Sequence, residues 1–174
     1  MSFTIETLFN KDQLETVKQR TLADIRQDIK DDNPIYGTEG TFGEKLFRKY
    51  RLPVATITSK ISRVSSEKIE YVISFQGGNG RFFHYIPTKK ADITKPRGYS
   101  ISDAVYLYFD NNNDAAKLKE QIKVEDGALD AWYQLVKAEV EEFNKNLPGF
   151  IGEAIAENTA RLQREKELED ELNG

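Results

Sequence analysis

The sequence predicts an α+β domain with an N-terminal helix, an antiparallel meander of about four strands, and two or three C-terminal helices packed on the sheet. Three patterns carry that expectation. Apolar residues recur at helical spacing before residue 32, alternate with polar residues between 54 and 109, and return to helical spacing after 126. Helices and strands are therefore segregated along the chain, which argues against alternating βαβ units.

The first helix is expected over about residues 11–31. Asn10-Lys11-Asp12-Gln13 has the form of a capping box, and Leu14, Val17, Thr21, Ile25 and Ile29 follow on one face until Asn33-Pro34. Between Pro34 and Pro53 the glycines Gly37, Gly40 and Gly43 interrupt any period, and Glu44 to Tyr50 suits a short helix or a strand. Ala55, Ile57 and Ile61 then alternate with polar positions, as do Ile69, Tyr71, Ile73 and Phe75, which gives two strands. Gly78-Asn79-Gly80 before Arg81 to Ile86 reads as the tight turn of an antiparallel hairpin, because Asn-Gly tolerates positive φ.

Another strand is expected over Ala104 to Phe109, ended by Asp110 and three asparagines, with Asn113 or Asp114 capping the next helix. Leu129, Trp132, Val136, Val140, Phe143 and Leu147 place one side of a helix over about 126–147 against a core. Pro148-Gly149 is expected to interrupt it, and Ile151, Ala154, Ile155, Asn158 and Leu162 form the stripe of a second helix. From Arg161 to Leu172 eight of twelve residues are charged. The division expected is one domain over 1–160, with 161–174 a charged helical tail or the lead into a further domain.

A chain of 174 residues with 31% charged side chains can bury a core without staples. It has no cysteine, which excludes disulfides, thiolate metal sites and cysteine nucleophiles. One histidine cannot supply a two-histidine metal site, and no metal or cofactor is expected. No segment approaches the roughly 20 apolar residues of a membrane span, and Met1 to Glu6 lacks the form of a secretory signal. The expected location is the cytoplasm, with no membrane partner. A net charge of −4 argues against coating nucleic acid through the overall field.

The residues that could carry chemistry each have a plainer reading. His84 has the pKa range of a general base, yet alternates with Phe83 and Tyr85 as an ordinary strand residue would. Gly77 to Gly80 resembles a phosphate loop only superficially, since a strand rather than a helix is expected to follow. Gly37 to Gly43 matches neither nucleotide-binding fingerprint, and Glu39 would repel a phosphate. Asp24, Asp28, Asp31 and Asp32, and Glu139, Glu141 and Glu142, fall at spacings that decorate solvated faces rather than form an acid–base pair.

Two surfaces remain. Arg81, Lys89, Lys90, Lys95 and Arg97 face the single acid Asp92 within one stretch, with His84 among them. Such a patch can grip phosphates while nearby aromatic rings stack on bases, or it can be a solvated loop with lysines guarding an edge strand. Alternation also sets Val72, Phe83, Tyr85, Tyr106 and Tyr108 opposite the face bearing Ile73, Phe75 and Leu107. Either the C-terminal helices cover that aromatic face, or Phe83, Tyr85, Tyr106 and Tyr108 meet a partner.

The run Phe75-Gln76-Gly77-Gly78 to Phe82-Phe83-His84-Tyr85-Ile86-Pro87, then Pro96-Arg97-Gly98, and Asn144-Lys145-Asn146-Leu147-Pro148 with Ile151 and Ile155, resembles an uncharacterised N-terminal domain of bacterial multidomain proteins, some linked with defence effectors. The resemblance spans roughly residues 70–160 and rests on turn and packing residues. It implies a recognition or regulatory module ahead of an effector and transfers no catalytic residue.

The leading expectation is a non-catalytic interaction, sensor or regulatory domain. Its partner would be a protein, a further C-terminal domain, or a second copy of the chain. The alternatives are nucleic-acid or phospholigand binding through Arg81, His84, Lys89, Lys90, Lys95 and Arg97, and a hydrolase using His84 with carboxylates.

Overall fold

A computed structural model of the chain describes residues 8–32, 35, 40–78 and 80–174. The expectations for Met1 to Glu6, for Asn33-Pro34, for Gly37 to Glu39 and for Asn79 lie outside those residues. The chain is an α+β protein whose described residues group into two compact units. The first contains 8–17 and Pro53–Glu141; the second contains 18–32, 35, 40–52 and Glu142–Gly174. The 160/161 division expected from charge falls inside the second unit and inside a helix.

The first unit is built on an antiparallel sheet of four strands in the order β2-β3-β6-β5. Its strands are β2 (Thr56–Val64), β3 (Lys68–Gln76), β5 (Tyr99–Ile101) and β6 (Ala104–Asp110). Ile73 opposes Val105 and Tyr71 opposes Leu107 on one face; Val72 opposes Tyr106 and Glu70 opposes Tyr108 on the other. A two-residue loop joins β5 to β6, with Ile101 paired to Ala104. Ser102 takes the positive φ of 55° that such a loop requires.

β3 has β2 on one side and β6 on the other, so it offers no edge to residues 81–86 and the expected hairpin does not form. Gly77 and Gly78, at φ 72° and 79°, instead turn the chain into a 3-10 segment over Gly80–His84. The physical reason lies in Phe82 and Phe83. Adjacent strand residues face opposite sides, whereas the helical turn lets both rings become buried. Two further residues, β4 (Tyr85–Ile86), pair in parallel with β1 (Asp12–Gln13). Asp12 and Gln13, expected within the first helix, therefore enter strand pairing, and α1 runs over Leu14–Asp31.

The covered sheet face meets α3, which runs from Ala115 to Asn173 and contributes its residues up to Glu141 to this unit. The Asp114 carboxylate accepts the Lys117 N–H at 3.1 Å and caps its start, as the sequence predicts. Leu129, Trp132, Tyr133, Val136 and Val140 are buried. The Phe83 ring lies at the middle of this core, with centroids 4.7 Å from Phe75, 5.4 Å from Phe82 and 6.1 Å from Tyr133. Tyr133 satisfies its buried hydroxyl on the Ala55 carbonyl at 2.7 Å.

The second unit is helical. Ile25 and Ile29 of α1, Leu46 of α2 (Phe42–Tyr50), and Leu147, Ile151 and Ala154 of α3 form its core. Thr41 and Glu44 close a capping box that starts α2. The Asn144 amide donates to the Leu52 carbonyl at 2.7 Å and accepts the Leu52 N–H at 2.8 Å.

α3 continues through Pro148, where the sequence predicts a break. Proline removes one N–H from the helix ladder, a cost of about 3 kcal/mol in a helix interior. Leu147 and Ile151, each buried in the core, flank it and hold the helix on its course. Among the described residues no helix is long and apolar enough to cross a membrane.

Candidate functional site

Of the two surfaces singled out by the sequence, the first unit dismantles part of each and joins the remainder. Phe83 is fully buried and Tyr85 is 5% exposed, so for these two rings the covered alternative holds and they belong to the core. Burial pushes the Tyr85 phenol above its ordinary pKa. Arg81 extends into solvent from the 3-10 segment and lies 3.6 Å from the Asp12 carboxylate. Lys89 and Lys90 are exposed on the loop after β4, whose Thr88 N–H donates to Glu139 at 2.9 Å.

His84 lies half-buried at the end of the 3-10 segment, with Nε2 3.0 Å from the Ser100 hydroxyl oxygen. That hydroxyl is also 3.1 Å from the Gly80 carbonyl. A carbonyl only accepts, so Ser100 donates to Gly80 and its oxygen accepts from the imidazole Nε2–H. The ring, as the Nε2–H donor, thereby orients the Ser100 hydroxyl toward Gly80.

Lys95 and Arg97 come together with the surviving tyrosines. Tyr99, which no periodic signal in the sequence marks, opposes Tyr106 across the β5–β6 pair. Its ring stacks on both Tyr106 and Tyr108, each with centroids 5.5 Å apart. The Tyr99 and Tyr108 hydroxyls hydrogen-bond to each other. Desolvation, followed by that hydrogen bond, drives the Tyr108 pKa far above the usual phenol range. The Lys68 ammonium stands 4.7 Å from the Tyr108 ring centroid, a cation–π arrangement.

The segment before β5 brings the loop cations to this edge. Pro96 is buried, and a Cβ on Gly98 would come within 2.4 Å of the Leu107 side chain and of the Tyr106 carbonyl. Only glycine permits that close passage along β6. The Arg97 N–H donates to Glu125 at 3.1 Å, and Lys95 reaches the Asn10 side chain at 3.3 Å while lying 5.4 Å from the Trp132 ring centroid.

The result is an open cleft of about 770 Å³. Lys68, Lys95 and Arg97 line it with Tyr99 and Tyr108, and no carboxylate is among its described lining residues. A second cleft of about 580 Å³ adjoins it, sharing Arg97 and Tyr108, and it has the opposite character. Asp110, Glu120 and Glu125 line that one, with Lys117 as its other cation. Within the second unit a separate groove of about 730 Å³ runs between α2 and α3 past Phe47, Arg48 and Ile155.

Among the described residues no three His, Asp or Glu side chains converge as a metal-binding group. Asp28 instead accepts from Lys49 at 2.7 Å and from Tyr50, and the hydrogen bond to Asp28 raises the Lys49 pKa. No family model matches the chain, and comparison with curated proteins and with solved structures finds no match.

Proposed function

We propose that this protein is a non-catalytic sensor or interaction domain of a bacterial cytoplasmic protein, and that the cationic tyrosine cleft is where it recognises a phosphate-bearing ligand. One observation carries the reading: three cations and two tyrosines line one concavity, with no carboxylate among its described lining residues. Phosphate oxygens gain charge-assisted hydrogen bonds from Lys and Arg, and aromatic rings supply sequence-tolerant stacking surface. The likeness to an N-terminal recognition module ahead of an effector supports the same role.

The test is calorimetric titration with phosphate-bearing ligands at low and at physiological salt. Binding is expected to weaken as salt rises and to fall about tenfold in Lys95→Ala or Arg97→Ala, the loss of one charge-assisted contact. Lys89→Ala and Lys90→Ala are expected to leave it unchanged, because neither side chain lines the cleft. Absence of salt-dependent binding to any phosphate-bearing ligand would overturn the proposal.

A second reading has its own support. On the sheet face that bears Tyr106, Val72 and Ala104 are buried, while Ile61 and Ile101 at its margins are 48% and 57% exposed. A protein partner, including a second copy, would bury them. Size-exclusion chromatography of Ile101→Glu against the parent chain tests self-association there.

A further inference from the structure

Resting on the proposed phosphate-ligand reading, we infer that the ligand is a free nucleotide, a single aromatic base carrying phosphate, and not a nucleic-acid strand. The cleft, at about 770 Å³, falls within the size range of small-molecule sites, about 300–1,000 Å³. Its two chemistries match the two halves of a nucleotide. Lys95 and Arg97 suit the phosphates, and the edges of Tyr99 and Tyr108, whose faces meet each other, Tyr106 and the Lys68 ammonium, line the same cleft for an edge-on contact with the base.

What surrounds the cleft argues against a polymer. Proteins that hold single strands run a cationic groove along the backbone, with rings spaced to meet successive bases. Here the wall formed by Arg97 and Tyr108 opens on its other side into the cleft lined by Asp110, Glu120 and Glu125. A phosphodiester chain leaving in that direction would meet three carboxylates, with Lys117 the only lysine among the described lining residues. The exposed cations Lys89 and Lys90 line neither cleft, so they do not extend the cationic surface into a track.

The experiment compares nucleoside triphosphates, inorganic triphosphate, and single-stranded oligonucleotides of about 2, 4, 8 and 16 nucleotides, spanning the usual single-strand site sizes. Each is titrated by calorimetry into the full chain. A nucleoside triphosphate is expected to bind about tenfold more tightly than inorganic triphosphate, the worth of one edge-to-face aromatic contact. Affinity per nucleotide end is expected to stay level as the oligonucleotide lengthens. Tyr108→Ala is expected to erase the advantage of the base, whereas Tyr108→Phe keeps the ring and retains it; circular dichroism confirms that both variants are folded.

Affinity that climbs with oligonucleotide length would overturn this inference and leave the phosphate-ligand reading standing. Equal binding of inorganic triphosphate and nucleotide would also overturn it, by removing the base. Failure of every phosphate-bearing ligand to bind would remove the underlying reading as well.

Discussion

The sheet unit and the helical unit hold themselves together with different materials. The first packs rings drawn from distant parts of the chain, with Phe83 against Phe75, Phe9 and Tyr133. The second packs aliphatic side chains that recur at helical spacing within each segment, such as Ile25 with Ile29 and Leu147 with Ile151 and Ala154. The binding surface proposed above lies in the first. Strand pairing there sets side chains from β3, β5 and β6 beside one loop, whereas a helix juxtaposes mainly its own near neighbours.

The comparison breaks most directly at Phe83. Phe83→Ala is expected to cost about 3–5 kcal/mol, the range for emptying a fully buried ring site. Urea unfolding followed by Trp132 fluorescence reads the loss, and a cost below about 1 kcal/mol would show that the rings pack as independent pairs. In the helical unit, Leu46→Ala removes a fully buried aliphatic side chain and should cost about 3 kcal/mol. The readout is the urea midpoint from far-ultraviolet circular dichroism. An effect larger than that of Phe83→Ala would reverse the ranking of the two cores.

Smaller changes sharpen the contrast at the backbone level. Thr41→Ala opens the capping box of α2 and is expected to cost about 1 kcal/mol. Gly127 lies exposed within α3, with nothing within 4 Å of an added Cβ. Gly127→Ala should therefore stabilise the sheet unit by slightly under about 1 kcal/mol, from helix propensity alone. A destabilised variant, measured by the same unfolding curves, would mean that α3 needs glycine there.

The mildest perturbation at neutral pH is alkaline titration. Tyr71, Tyr85 and Tyr108 in the sheet unit and Tyr50 in the helical unit have raised pKa values, with burial the leading cause in each. A phenol that holds its proton more tightly when folded adds stability below its unfolded pKa of about 10, and that stability is lost as pH rises through the folded value. Urea midpoints are expected to be level from pH ~7 to ~9 and to fall above pH ~10. Level midpoints beyond pH ~11 would contradict the shifts.

Much of the helical architecture is legible in the sequence. Leu14, Thr21, Ile25 and Ile29 are all buried on α1, and Leu129, Trp132, Val136, Val140 and Leu147 are all buried on α3. The strands at 56–64, 68–76 and 104–110 follow the alternation that predicts them. The hairpin at 78–86 does not, because alternation cannot tell a strand from a turn that buries two neighbouring phenylalanines. Of the site, the sequence singles out Lys95, Arg97 and Tyr108 and misses Lys68 and Tyr99. Tyr99 sits in a strand of three residues, too short for a periodic signal, although the two-residue loop that follows it was a clue. Lys68 reads as any strand-end lysine until β6 places Tyr108 near it.

The sequence by itself determined the α+β class, the helical faces, and the absence of thiol chemistry, because propensity, periodicity and composition are properties of a chain and its near neighbours. Only the tertiary structure decided that Phe83 and Tyr85 turn inward while Tyr99 and Lys68 join Tyr108 at an open edge. Strand partnership is a long-range choice. Once β3 is flanked by β2 and β6, residues 81–86 cannot extend its ladder; Phe82, Phe83 and Tyr85 go to the core, and Tyr85–Ile86 pair with β1 instead.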